Sequence, residues 1–264
     1  MEQAAEVLFG RHPVLELLRA SGRPVDEIAV VAHGRTPALQ ELLVLARRQG
    51  VKVSFRTREQ LTAMAGTPHH QGVVARVAAA RYADLDTLLA VAAARAEPAF
   101  LLALDRVQDP RNLGAVLRSA EATGAHGVIL PKHQSVGLTP GAAKSATGAQ
   151  EWVSTARVTN LVQALETLKK EGIWVMGTTT RGGASPWVSD LGVPLCLVLG
   201  GEEGGLRPLV ARTCDVLLTL PMKGKLESLN VAAVAAVLCY EVIRQRGGFR
   251  GEASRSSSAT RGLT

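Results

Sequence analysis

An α/β fold built around a mostly parallel sheet is what this sequence predicts, and three observations carry the expectation. From residue 99 to 246, strand-like and helix-like segments alternate. The strand-like segments are near-continuous apolar runs, such as 100–105 and 194–199, which is the pattern of strands covered on both faces. Ahead of them, residues 13–77 hold a smaller mixture of the same patterns, so a small α/β domain precedes the larger one. A length of 264 residues accommodates such a pair.

In the small domain, expected over residues 1–78, residues 13–19 are apolar at helical spacing and 27–32 (EIAVVA) form a short buried strand. Residues 37–48 make an amphipathic helix. Leu39, Leu42, Leu43 and Ala46 share one face, and Gly50 sits just past the end, where a left-handed residue closes a helix. Residues 51–55 and 72–77 are two more strands. Residues 79–98, rich in Ala with Arg and Asp, read as a linker, within which 84–96 support a helix.

The larger domain, expected over 99–248, reads strand 100–105, helix 113–123, strand 127–130, helix 140–147, strand 152–158 and helix 161–170. Strands 173–178, 194–199 and 215–220 and helix 229–246 complete it. In the first of these helices Asn112 suits the N-cap, Leu113, Val116, Leu117 and Ala120 form an apolar face, and Gly124 sits at C′. Residues 249–264 are Ser/Gly/Arg-rich and are expected to be disordered.

Composition narrows the function. Hydrophobic residues make up 47% of the chain, enough for a real core, but aromatics only 3%, which argues against base stacking as the main mode of nucleic-acid binding. The net charge of +7 favours a polyanionic partner, although a soluble protein that is merely basic has the same balance. Cys196, Cys214 and Cys239 are odd in number and far apart, with no C-x-x-C, so buried free thiols in a reducing compartment are expected. The opening MEQAAEVLFG has neither a basic stretch nor a continuous apolar one, so no signal peptide is expected. The longest apolar run, 231–240, is half of the roughly 20 residues that span a bilayer. A soluble cytoplasmic protein follows, and no histidine has metal-ligand spacing.

Three polar loops leave the carboxyl ends of expected strands, where sheets of this kind bind ligands. In the first, Asn112 has a full structural explanation as a cap. Arg118, six residues later among Ala, Val and Leu, is either a solvated surface arginine or a fork for a phosphate or carboxylate. In the second, Gly200–Gly205 (GGEEGG), glycines permit positive φ and close backbone approach to a ligand. It is neither G-x-G-x-x-G nor a phosphate loop, and its two carboxylates would repel a pyrophosphate. They suit a positive centre or hydroxyls. In the third, Ser228 or Asn230 caps the last helix or serves a ligand, and Lys223 and Lys225 fit phosphate contacts or plain solvation. His69, His70 and Arg76 read as RNA contacts or as a surface loop. No Ser-His-Asp order and no cysteine nucleophile emerges, so the site is built for positioning.

Asn112-Leu113-Gly114 with Arg118, Leu199-Gly200-Gly201-Glu202 with Gly204, and Leu220-Pro221-Met222 with Ser228-Leu229-Asn230 together resemble the three motifs of the SpoU/TrmH branch of the SPOUT RNA methyltransferases. The similarity covers about 100–246. The first domain, with FGRHPVLELL and HHQGVVARV, resembles the L30e-like RNA-binding domain of the RlmB-type members, which methylate a guanosine 2′-hydroxyl in large ribosomal RNA. The resemblance implies a SPOUT α/β domain with a trefoil knot, S-adenosylmethionine as cofactor, no metal, and a homodimer with the site at its interface. It implies catalytic roles for Arg118, Asn112, Glu202, Ser228 and Asn230. It implies cofactor contacts around Gly200, Leu220 and Leu229, with Thr178 and Thr179 as further candidates. RNA contacts are expected at Arg11, His70, Arg76, Lys144 and Lys223. A transfer-RNA substrate and a non-catalytic RNA-binding homologue are the alternatives.

Overall fold

The computed structural model describes residues 5–32 and 36–247, so the disorder expected of 249–264 falls outside the described residues. The first unit runs β1 (Ala5–Phe9), α1 (Arg11–Ala20), β2 (Val25–Val31), α2 (Pro37–Arg48), β3 (Lys52–Arg56), α3 (Arg58–Ala65) and β4 (Val73–Ala78). Its sheet order is β1-β4-β2-β3, with β2 and β3 parallel and β4 antiparallel to both its neighbours. Leu17, Leu18, Ile28, Val30 and Leu42 are fully buried in its core. Two elements escape the sequence reading. Among the described side chains of β1 Leu8 and Phe9 are buried, and α3 buries only Leu61, so neither carries a stripe long enough to read. The start of α3 was nonetheless written in a capping box between Thr57 and Gln60.

Helix α4 (Leu85–Arg95), capped by Asp84, occupies most of the expected linker. The second unit follows with β5 (Phe100–Asp105), α5 (Pro110–Ala122), β6 (Gly127–Pro131), α6 (Pro140–Ala146), β7 (Thr155–Val158), α7 (Leu161–Lys170), β8 (Trp174–Thr178), β9 (Leu195–Gly200), α8 (Pro208–Thr213), β10 (Val216–Leu218) and α9 (Val231–Gln245). Its sheet has the order β10-β8-β9-β5-β6-β7, parallel at every pairing. Successive residues of β5 serve opposite faces. Phe100, Leu102 and Leu104 pack with α5, α6 and α9, whereas Leu101 and Ala103 pack with α4, α7 and α8. The doubly covered parallel sheet is therefore the expected one.

The boundaries of the second unit differ most at three places. The strand expected over 152–158 begins only at Thr155, because Ala149–Glu151 form a 3-10 turn. Strand β10 has three residues, and α8 was not expected at all. Helix α5 starts at Pro110, with Asp109 as its N-cap accepting from the Arg111 N–H at 2.8 Å. Asn112 is thus not the cap. Asp followed by Pro at the first helical position was the stronger start signal.

The two units are packed together. Ala143 of α6 joins the core of the small unit. Arg23 reaches Glu6 at 2.8 Å and Glu151 at 2.9 Å, and Trp152 Nε1 donates to Glu16 at 2.9 Å. Burial pushes the Glu151 carboxyl up, while Arg23 works against that.

Candidate functional site

The loops at the carboxyl ends of β8, β9 and β10, closed by the start of α9, enclose a cavity of about 670 Å³. Thr178, Thr179, Gly200, Leu220 and Leu229 all line it, as do Glu202, Ser228 and Asn230. Met222 of the third motif also lines it, as do Glu227 and Leu206, to which the sequence reading gave no role. Polar loops bring the hydroxyls and backbone groups, while Leu218, Val231, Val234 and Leu238 supply an apolar floor. Among the described residues the wall contains two carboxylates, Glu202 and Glu227, and no lysine, arginine or histidine, although Arg181 pairs with Glu227 at 2.6 Å. The unpaired Glu202 attracts a cation and repels phosphates.

Asn112 lies outside this lining but is tied to it. Because Asp109 caps α5, the Asn112 side chain is free to reach across. It is 9% exposed. Its Nδ2 donates to Glu202 Oε1, and its Oδ1 accepts from Asn230 Nδ2 at 3.0 Å. Asn230 Oδ1 in turn accepts from the Ala232 N–H at 2.8 Å, which makes Asn230 the N-cap of α9. A backbone donor at one end and a carboxylate at the other fix both amide orientations. One chain of donors thus joins all three loops.

The glycines of the second loop have a different use from the one expected. Positive φ occurs at Gly204 and Gly205. A Cβ at Gly201 would lie 2.2 Å from the Arg106 carbonyl oxygen, and one at Gly200 2.3 Å from the Gly205 carbonyl carbon. At these two positions the missing side chains admit the protein's own backbone, not a ligand's. Asp105, fully buried at the end of β5, accepts from Arg207 N and Arg207 Nε, each at 2.8 Å. Gly201 N–H donates to the Asp105 carbonyl at 2.8 Å, and Arg106 Nη2 to the Glu203 carbonyl at 3.1 Å. The loop that carries Glu202 is therefore pinned at both ends and at its tip.

Arg118 is not brought into the cavity. It sits on the exposed face of α5, two turns beyond Asn112. Lys223 is exposed on the third loop, and Arg181 pairs with Glu227 at 2.6 Å. Of the residues expected to touch RNA, Arg76 is exposed on β4. Arg11 is half-buried and bonded to Gln71. Lys144 lies over the Phe9 ring at 5.5 Å, between the two units. His70 is a correction. It is fully buried, its Nδ1 accepts from the Gly72 N–H at 3.0 Å and its Nε2 faces Thr62 Oγ1 at 3.2 Å. Burial, then Arg58, lowers its pKa, so it is a neutral core histidine and not a surface contact.

No cysteine is activated. Burial pushes Cys214 and Cys239 up to about 12 and Cys196 higher still, far from a thiolate nucleophile. Among the described residues no cluster of His, Cys, Asp and Glu could hold a metal ion, and no helix is long and apolar enough to cross a membrane.

Comparison with known proteins agrees with this layout. Residues 99–240 match the SpoU rRNA Methylase family, and residues 7–83 match the family described as RNA 2'-O ribose methyltransferase substrate binding. The chain is 43% identical over 243 residues to the 23S rRNA (guanosine-2'-O-)-methyltransferase RlmB of Ralstonia nicotianae, covering 92% of this chain and 96% of that protein. It is 39% identical over 244 residues to the protein of that name from Shewanella oneidensis, covering 91% and 98%. Among solved structures, the SpoU methyltransferase AviRb from Streptomyces viridochromogenes in complex with the cofactor AdoMet superposes with a TM-score of 0.78 at 26% identity, covering 92% of this chain and 91% of that one.

Proposed function

The chain belongs to the SpoU rRNA methylase family, and from that premise we propose that it is an S-adenosylmethionine-dependent RNA ribose 2′-O-methyltransferase acting on a guanosine of 23S ribosomal RNA. The single observation that carries the reading is the cavity of about 670 Å³ that three remote loops build together, lined by Glu202 and Glu227 and, among the described residues, by no basic side chain. Its volume is that of a small-molecule site. Glu227 is paired with Arg181, and the unpaired Glu202 suits a cofactor with a sulfonium and an ammonium better than a nucleoside polyphosphate. When bound, that cofactor supplies a methyl group already activated by the positive sulfur.

The chain's own residues then have alignment to do. Thr178, Thr179, Gly200, Leu220 and Leu229 hold the cofactor, largely through backbone groups. Asn112 and Asn230 fix Glu202 at the edge of the cavity, beside the place a ribose would enter. Ser228 orients the sugar. Arg118 grips a substrate phosphate and stabilises the forming 2′-alkoxide.

Arg118 lies apart from the cavity of its own chain, which supports a homodimer whose second copy completes the site. Leu226, Leu229, Val237 and Tyr240 are exposed apolar or aromatic residues on the third loop and α9, and they suit such a contact. We further assign residues 1–78 to an L30e-like RNA-binding domain, 79–98 to a linker and 99–248 to a SPOUT domain with a trefoil knot. The crowding of segments 178–180, 200–206 and 217–231 around one cavity supports the knot. A cytoplasmic location suits an enzyme of ribosomal RNA. Arg11, Arg76, Lys144 and Lys223 are its proposed RNA contacts.

The test is transfer of labelled methyl groups from S-adenosylmethionine to unmodified 23S rRNA, followed by mapping of ribose methylation. One guanosine should become labelled. Label on transfer RNA alone, or on a base, would overturn the proposal.

A further inference from the structure

The joint between the two units is built more tightly than a tether needs. Arg23, just before β2, has a side chain only 12% exposed. Its Nε and Nη2 donate to the Ala78 carbonyl at 3.1 and 2.6 Å, and Nη2 also donates to Glu6 at 2.8 Å. Its Nη1 donates to Glu151 of the second unit at 2.9 Å, where the carboxylate is 3% exposed. The stretch that joins the units is not free chain either. Ala80 N–H donates to Glu6 at 3.3 Å, Leu138 N–H to the Tyr82 hydroxyl at 2.8 Å, and Ala83 N–H to the Thr155 carbonyl at 2.9 Å. Residues 78, 80, 82 and 83 are thus each held.

The contact continues to the helix that bears Asn112 and Arg118. Helix α6, mostly Ala, Gly and Ser, lies between the small unit and α5. Its Ala143 belongs to the small unit's core, while Ala142 and Ala146 share a core with Leu113, Val116 and Leu117 of α5. A Cβ at Gly114 would lie 2.4 Å from Ser145 Cβ and 2.6 Å from the Ala142 carbonyl oxygen, so the backbones of α5 and α6 touch. Gly114 stands two residues after Asn112 and about one turn before Arg118. Just past α6, a Cβ at Gly148 would lie 2.3 Å from Glu16 Cβ of α1. Contacts this close pass a displacement on and do not absorb it.

We propose that Arg23 is a positioning residue for methyl transfer: by clamping Glu6, Ala78 and Glu151 together it fixes the small unit against α6, and so fixes RNA carried on that unit against Arg118. The proposal rests on the RNA-methylating function proposed above. An apolar contact alone would keep the units together. A guanidinium fork that satisfies a buried carboxylate and two further acceptors also sets the angle between them. The reaction needs that precision, since a misplacement of about 1 Å costs about 10²-fold in rate. Neither Arg23 nor Glu151 lines the cavity between the three loops, so cofactor binding is independent of them.

Arg23→Gln alone would leave Glu151 buried without its partner. The test therefore uses the double variant Arg23→Gln, Glu151→Gln, which leaves no lone buried charge. In the full chain, with a 23S rRNA transcript bound and S-adenosylmethionine saturating, single-turnover transfer should slow by about 10- to 10²-fold. Affinities for the transcript and for S-adenosylmethionine should stay within about two-fold of the wild type. Trypsin gives a reading that needs no RNA. Arg81 is exposed within the held stretch, and cleavage after it requires that stretch to open. The wild type should resist cleavage there, and the double variant should be cut about ten-fold faster. A wild-type transfer rate in the double variant, or a loss of RNA affinity at an unchanged rate, overturns the positioning role. Equal cleavage after Arg81 in the two proteins overturns the clamp alone. A wild type that transfers no methyl group to the transcript overturns the function beneath the proposal, and the proposal with it.

Discussion

Replacing Asn112 by Asp changes one atom's role and little else. The Oδ1 that accepts from Asn230 remains, but the Nδ2 donor to Glu202 becomes a second carboxylate oxygen. The lost hydrogen bond to a charged acceptor is worth about 1.5–3 kcal/mol. Two carboxylates about 4 Å apart repel by about 1 kcal/mol in water and about 4 near a protein surface. Glu202 is exposed, so the lower figure applies. Together these give about 2.5–4 kcal/mol. Glu202 can escape the repulsion by swinging toward solvent on its loop, so the cost falls on the site and not on the fold. Methyl transfer should therefore drop by about 10²- to 10³-fold in kcat/KM, while the melting temperature moves by no more than about 3 °C. The assay is steady-state methylation of the 23S transcript, with calorimetric melting in parallel. Wild-type kcat/KM in the folded variant would refute the donor chain as the link between loops.

Three other outcomes are expected. Arg118→Ala should lower kcat by about 10²–10³-fold and leave cofactor affinity and oligomeric state unchanged, as single-turnover assays and calorimetry would reveal; unchanged kcat removes Arg118 from the mechanism. Gly201→Ala places a Cβ 2.2 Å from the Arg106 carbonyl oxygen, so the loop must move, at a cost of about 1–3 kcal/mol, and cofactor affinity should fall ten-fold or more. Equal affinity would mean that the loop's position is irrelevant to the cavity. Stability should also fall as pH drops below about 6.5, the unfolded value for histidine. Burial lowers the pKa of both His70 and His126, so the unfolded chain takes up protons there before the folded chain does. His126→Gln, which keeps an acceptor for the Phe100 N–H, should flatten part of the slope in melting temperature between pH 8 and 5.5; an unaltered slope would place the titration elsewhere.

Local pattern sufficed wherever an element met the core along a regular stripe. Helices α2 and α7 and strand β5 begin and end where the apolar spacing places them. It failed where burial was sparse, as in α3, or where the element was a single short turn of helix, as in α8. Asn112 was legible as important and misread as a cap, because its true partners are 90 and 118 residues away and no local rule reports them. His70 was misread for the converse reason. A His-His pair in a polar stretch looks solvated, yet its ring is buried under α3. Asp105 drew no notice at the end of an apolar strand, although it anchors Arg207 below the second loop.

The claim beneath all of this is that turns far apart in sequence close on one acid-walled chamber for a cationic methyl donor. A crystal structure of the protein grown with S-adenosylmethionine tests it most directly. The expected result is density between the backbone of Gly200, Leu220 and Leu229, with Glu202 still bonded to Asn112. Density at any other place, with that chamber holding only solvent, would contradict it.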